Sequence, residues 1–83
     1  MPLMGRDMSE PEIIDARGLL CPLPVLKLRK RLKPVAVGSR VELWADDPAA
    51  VIDVPHYCTE SGHQLVKISE ATDHQIYLVQ KTG

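Results

Sequence analysis

The chain has 83 residues, of which 45% are hydrophobic and 25% charged, and its formal net charge is −1. This length suits one domain with a modest core, and the composition is typical of a folded chain. No stretch approaches the ~18 consecutive apolar residues of a membrane span, and the first ten residues lack the apolar segment of a secretory signal. We therefore expect a cytoplasmic protein with no membrane association, a flexible tail at 1–10 and a single domain at 11–83.

The first two predicted elements lie on either side of a cysteine. A short apolar segment predicts a strand at Glu12–Ala16, and Gly18 follows it. Proline fits the first turn of a helix, where its missing N–H would have no partner. We therefore expect Pro22 to be the first helical residue, Cys21 to occupy the cap position, and Pro24 to lie within the first turn.

The helix is predicted to span Pro22–Lys33. Its apolar residues Val25, Leu28 and Leu32 recur at spacings of three and four, which is the pattern of a helix with one buried face. Pro34 then ends it, because proline cannot continue a helix.

The second half of the chain predicts a strand, a helix and two more strands. Val41–Ala45 alternates between apolar and other residues, as a half-buried strand does. Two aspartates and a proline at 46–48 favour a helix start, with an aspartate as the cap. The helix is predicted at Ala49–Ser61, closed by Gly62, and Pro55 is expected to bend or split it. The last two strands are predicted at Leu65–Ser69 and Gln75–Lys81.

The element order is thus β-α-β-α-β-β, in the α/β (α+β two-layer sandwich) class. Strand–helix–strand crossovers are right-handed, so we expect a mixed four-stranded sheet with both helices on one face. Trp44 lies out of phase with Val41 and Leu43, so it is predicted on the face without helices, either as a contact residue or as cover for that face.

Cys21 is the candidate reactive residue. A thiol at a helix N-terminus faces unpaired N–H groups and the positive end of the helix dipole, which favour the thiolate. Gly18 and the two prolines would hold this helix tip, and the N–H groups of Leu23 and Val25 are expected to be free for a bound sulfur or oxyanion. No base is adjacent in sequence, so Cys21 suits accepting and passing on a group better than hydrolysis.

Cys58 is the second cysteine of the chain, 37 positions after the first. It falls on an apolar stripe with Val51 and Pro55, which favours structural burial over a resolving role in a redox pair with Cys21. His56 and His63 lie near it, but one thiol with two imidazoles and no second cluster does not predict a metal site. We expect neither a metal nor another cofactor.

The charge is distributed unevenly. Residues 1–40 carry eight basic and four acidic side chains, whereas residues 41–83 carry two basic and seven acidic ones. Five basic residues fall on the first predicted helix, which makes it either a solvated face or a docking surface for an acidic partner or RNA phosphate: Lys27, Arg29, Lys30, Arg31 and Lys33. Asp46 and Asp47 are predicted either to cap the second helix or to contact a partner and polarise Cys21.

The segment Cys21-Pro22-Leu23-Pro24, preceded by residues 15–19, resembles the Cys-Pro-x-Pro signature of the TusA/SirA-type sulfur-carrier family. Residues 45–49, 53–58 and 62–63 resemble the second helix of that family, and the likeness extends over about 12–81. It implies a fold like the C-terminal domain of translation initiation factor 3. It also implies a persulfide on Cys21, received from a cysteine desulfurase or rhodanese-like donor and passed to a downstream acceptor in tRNA thiolation, sulfur oxidation or cofactor sulfuration.

A sulfurtransferase acting as a monomeric sulfur carrier is therefore the favoured interpretation. The alternative is a non-catalytic regulatory module that binds RNA or protein through the basic first helix, with Cys21 merely structural. The first helix has no aromatic residue for base stacking, so we do not expect direct, stable binding of nucleic acid.

Overall fold

Within residues 11–82, two helices and four strands follow one another in the predicted order. The computed structural model describes residues 11–82, so the flexible tail predicted at 1–10 lies outside the described residues. The elements are β1 (Glu12–Asp15), α1 (Leu23–Leu32), β2 (Arg40–Ala45), α2 (Ala50–Ser61), β3 (Gln64–Glu70) and β4 (Gln75–Gln80). Within the described residues, neither helix has the length and apolar character needed to cross a membrane.

The strands form one mixed sheet in the order β1-β2-β4-β3. β1 pairs in parallel with β2, while β4 pairs antiparallel with both β2 and β3. The parallel pair needs a crossover, which α1 supplies, and the short turn after β3 is enough for the antiparallel pair. The predicted mixed four-stranded sheet of an α+β fold is therefore confirmed.

The core lies between the sheet and the two helices. Every second residue of β2 is buried, β1 and β4 add buried residues on the same side of the sheet, and these side chains form one cluster with the inner faces of both helices. A single cluster of this kind places both helices on the same face of the sheet. Its buried residues are Ile14, Ala16, Leu28, Leu32, Val41, Leu43, Ala45, Ala50, Val54, Cys58, Tyr77 and Val79.

The start of α1 differs from the prediction by one residue. Pro22 is the N-cap rather than the first helical residue, and Cys21 precedes the cap. Pro24 lies in the first turn as predicted, and its side chain is buried. Since a first-turn proline lacks only an N–H that would have no helical partner, α1 continues through it without a break.

Two features of α2 also differ from the prediction. The N-cap is Ala49 and makes no side-chain cap hydrogen bond, so neither aspartate caps the helix directly. Pro55 does not split the helix, which is continuous from Ala50 to Ser61. A proline here leaves the carbonyl of Val51 without its usual donor, and Val51 is 52% exposed, so water can reach that side of the helix. Gly62 ends α2 in the left-handed conformation, at φ 82°, as predicted.

The outer surfaces follow from this arrangement. The buried stripe of α2 is Ala50, Val54 and Cys58, at spacings of four, rather than the predicted stripe through Val51.

Trp44 lies on the face of the sheet without helices, as predicted, and is half-buried. The guanidinium of Arg17 lies 5.0 Å from the centroid of its ring, and the ring centroid of His74 lies 5.1 Å away. It therefore covers that face.

Replacement of Leu28 by alanine tests the core. Leu28 is fully buried, so Leu28→Ala leaves a cavity and is expected to lower the unfolding free energy by about 2–5 kcal/mol. Leu26→Ala is the matched control on the same helix, because Leu26 is 48% exposed and its change should stay within about 0.5 kcal/mol. Urea unfolding measures both. Equal losses in the two variants would contradict the assigned inner face of α1.

Candidate functional site

The loop between β1 and α1 is held in place by Asp46. The backbone N–H of Gly18 donates to both carboxylate oxygens of Asp46, at 3.0 and 3.1 Å. Gly18 has φ +81°, a conformation that a side chain would strain, so the predicted supporting role of this glycine has a structural basis. The carboxylate of Asp46 thus holds the loop that leads to Cys21. A docking role for Asp46 stays a prediction.

Asp47 ties the same loop to the start of α2. Its carboxylate accepts hydrogen bonds from the backbone N–H of Cys21 and, at 3.1 Å, from that of Ala49. The side chain is only 8% exposed, so it offers little surface to a partner. Its carboxylate is thus bonded inside the protein, and a docking role for Asp47 stays a prediction.

Asp53 is the residue in contact with the sulfur. Cys21 is exposed, and its Sγ donates a hydrogen bond to Oδ2 of Asp53 over 2.6 Å. Asp53 lies in the first turn of α2, so the fold brings together two residues 32 positions apart. The sequence analysis missed Asp53, because nothing local distinguishes it from an acidic residue that favours a helix N-terminus.

The surroundings of Cys21 do not favour the thiolate, contrary to the prediction. The hydrogen bond to Asp53 raises the pKa of the Cys21 thiol above its ordinary value, and partial loss of solvation and the negative charges of Asp53 and Asp47 raise it further. The N–H of Leu23 is also not free, since it donates to the carbonyl of Leu20 at 2.8 Å. The positive end of the helix dipole favours the thiolate. The carboxylates of Asp53 and Asp47 are closer to the sulfur and have the larger effect, so the thiol pKa is raised.

A groove between the two helices opens beside the sulfur. It has a volume of about 310 Å³. Apart from Cys21, its lining comes from the start of α1 and the outer face of α2: Pro22, Val25, Asp53, His56, Tyr57 and Glu60. An exposed sulfur on an open groove is accessible to a group presented by another molecule.

The basic residues of the first helix divide into two sets. Lys27 donates to the carbonyl of Asp15 at 2.6 Å, and Arg31 pairs with the carboxylate of Glu12, so both side chains fasten α1 to β1. Arg29 and Lys30 are exposed. Docking by this helix stays a prediction, and these last two residues are its best candidates.

Cys58 is a buried residue of the core, as the apolar stripe of α2 indicated. Its burial raises the pKa of its thiol to about 11, and both cysteines of the described chain are free thiols. Within residues 11–82, no group of three or more histidine, cysteine, aspartate or glutamate side chains is placed to hold a metal ion.

The contact between Cys21 and Asp53 predicts a pH profile. Alkylation by iodoacetamide requires the thiolate, so in the native protein half-maximal alkylation of Cys21 is expected at a higher pH than for a cysteine in a short peptide. Asp53→Asn removes the charge and the strong acceptor, which lowers the thiol pKa and moves the midpoint to lower pH. Peptide mapping by mass spectrometry separates Cys21 from Cys58.

Glu42→Gln is the control for this profile. It removes the same charge from the sheet face without helices and retains an acceptor for the indole N–H of Trp44, now 2.8 Å from the Glu42 carboxylate. The midpoint should not move in this variant. A native midpoint at or below that of the peptide would contradict the dominance of Asp53 over the helix end.

Known proteins are similar to this chain over most of its length. The family described as Sulfurtransferase TusA matches residues 12–81. A sulfur carrier protein TusA of Pseudomonas aeruginosa is 36% identical over 73 residues, covering 88% of this chain and 92% of that protein. A protein of the same name from Buchnera aphidicola is 33% identical over 70 residues, covering 84% and 89%. Taken with the exposed cysteine and the mixed sheet, these matches show that the chain belongs to the TusA family of sulfur carriers.

Proposed function

We propose that the protein carries sulfane sulfur as a persulfide on Cys21. One observation supports this most directly: Cys21 is an exposed, free thiol on an open groove, with its backbone N–H bonded to Asp47. The fixed loop limits the conformations of the sulfur, so little ordering is needed when a partner approaches. The relatives named as sulfur carriers support the same role.

The proposed loading step exchanges one sulfur–sulfur bond for another. Cys21 Sγ attacks the outer sulfur of a donor persulfide, R–S–SH, forming the bond of Cys21–S–SH and breaking the S–S bond of the donor. The donor sulfur leaves as R–SH, having taken up the proton that Cys21 lost. No oxidant or reductant is consumed, because the sulfane sulfur moves with its oxidation state unchanged.

The unloading step is the same reaction with the roles exchanged. A thiol of the acceptor attacks the outer sulfur of Cys21–S–SH, and Cys21 returns to the thiol while the acceptor becomes the persulfide. We propose a cysteine desulfurase or a rhodanese-like protein as the donor and a downstream thiol-bearing protein as the acceptor. The groove beside Cys21 is open, and the exposed sulfur can be approached there by a sulfur atom of either partner.

Intact mass spectrometry tests the carrier proposal. The protein is incubated with a cysteine desulfurase, pyridoxal phosphate and cysteine, and a gain of about 32 Da that dithiothreitol reverses is expected. Cys21→Ala should abolish the gain, whereas Cys58→Ala should retain it, because Cys58 is buried. No gain on a native protein whose Cys21 remains alkylatable by iodoacetamide would contradict the proposal for this donor and favour the binding-module alternative.

Charge reversal on α1 tests docking of the donor. Arg29 and Lys30 are exposed, so the double change to glutamate should leave the fold intact while slowing the initial loading rate about tenfold at low ionic strength. Lys67→Glu, at an exposed basic residue on β3, is the control for general charge. Equal slowing in both, or none in either, would contradict a docking role specific to α1. The alkylation rate of Cys21 should be the same in all three proteins.

A further inference from the structure

The contact between Cys21 and Asp53 depends on the proton of the thiol. In the structure Sγ is the donor and Oδ2 of Asp53 the acceptor, 2.6 Å apart. The bond is therefore available only to an empty carrier, because its hydrogen atom is the one that loading removes from Sγ. A persulfide at the same position presents to Asp53 a sulfur that carries no hydrogen.

Loading also changes the sign of the interaction with the surrounding charges. The outer sulfur of a persulfide is more acidic than a thiol, so at neutral pH a loaded Cys21 bears a negative charge. Asp53 and Asp47 then face an anion, and close like charges repel. The N-terminus of α1 attracts an anion, but the backbone N–H of Cys21 is already bonded to Asp47 and that of Leu23 to Leu20.

We propose that Asp53 distinguishes the empty carrier from the loaded one, holding the thiol in the groove by a hydrogen bond and repelling the persulfide that replaces it. This inference rests on the proposed carrier function and adds to it the residue that controls how firmly sulfur is kept. By destabilising the loaded state relative to the empty state, Asp53 makes Cys21 a better sulfur donor. The repulsion also moves the outer sulfur toward the mouth of the groove, where an acceptor thiol can attack it.

Among the residues around the groove, Asp53 is the one that accepts from Sγ. Asp47 adds a negative charge, but its carboxylate accepts from two backbone N–H groups and not from the thiol. His56 and Glu60 line the groove from α2, but Cys21 Sγ donates to Asp53 and not to either of them. Glu60 therefore provides a matched carboxylate on the same helix and in the same groove, without the contact to sulfur.

The loading equilibrium with glutathione persulfide tests the inference. The reaction is GSSH + Cys21–SH ⇌ GSH + Cys21–S–SH, and the loaded fraction is read by intact mass at a series of GSH concentrations. Asp53→Asn has nearly the same shape but no charge, and should shift the equilibrium toward the loaded protein by about fivefold or more, the effect of one unit charge about 4 Å away in water. The variant should also release its sulfur to added dithiothreitol more slowly.

Two further variants separate charge from structure. Glu60→Gln should change the equilibrium less than about twofold, because a charge without direct contact is screened by water. Asp53→Glu restores the carboxylate and should return the equilibrium toward the native value, which a purely structural role of residue 53 would not do. The pH midpoint of Cys21 alkylation, measured on the same proteins, should fall only in Asp53→Asn.

The outcomes distinguish this inference from the carrier proposal. If the native protein forms no persulfide on Cys21, the carrier proposal fails at the first measurement. If the native protein loads and Asp53→Asn has the same equilibrium or a lower loaded fraction, the carrier proposal stands and the role of Asp53 is overturned. An equal shift in Glu60→Gln would likewise overturn it, since the effect would then belong to the net charge of the groove.

Discussion

The carboxylate of Asp47 joins the two loops that lead into the helices, and the position of Cys21 depends on it. One oxygen accepts from the backbone N–H of Cys21 and the other from that of Ala49, so the start of α1 is tied to the start of α2. A largely buried carboxylate is stable only while such donors satisfy it, and leaving it unpaired costs about 1–3 kcal/mol or more. The same tie brings Cys21 within reach of Asp53.

Two opposing electrostatic effects meet at the sulfur. The N-terminus of α1 has a positive partial charge that falls off within a turn, and its local N–H groups are partly occupied by Leu20 and Asp47. Asp53, in contrast, bears a full charge and contacts Sγ directly. Contact with a full charge outweighs a partial charge whose donors are in use, which is why the thiol pKa is raised. The raised pKa lowers the fraction of Cys21 that is thiolate at neutral pH, which slows its reaction with small electrophiles.

The sequence predicted the fold well because the fold depends on local patterns. The alternation of apolar and other residues in β2 and the spacing of apolar residues in α1 correctly predict which faces are buried. Gly62 ends α2 as expected. The exposed cysteine before α1 was also apparent, from its place beside Pro22. Asp53 was not, because its role arises from a contact across 32 residues that forms only when the loop before α1 packs against the start of α2. The continuity of α2 through Pro55 was missed for a related reason, since tertiary packing of one helical face outweighs a single lost hydrogen bond.

The two faces of α2 have different surroundings, and this determines which of its residues can be replaced without loss of stability. Ala50, Val54 and Cys58 face the core, whereas the outward positions contribute Asp53, His56 and Glu60 to the groove. Substitutions at His56 and Glu60 change the shape and charge offered to another protein without altering buried volume. A duplicated copy of this chain could therefore acquire a new partner through a few surface replacements, while its folding stability remained that of the parent.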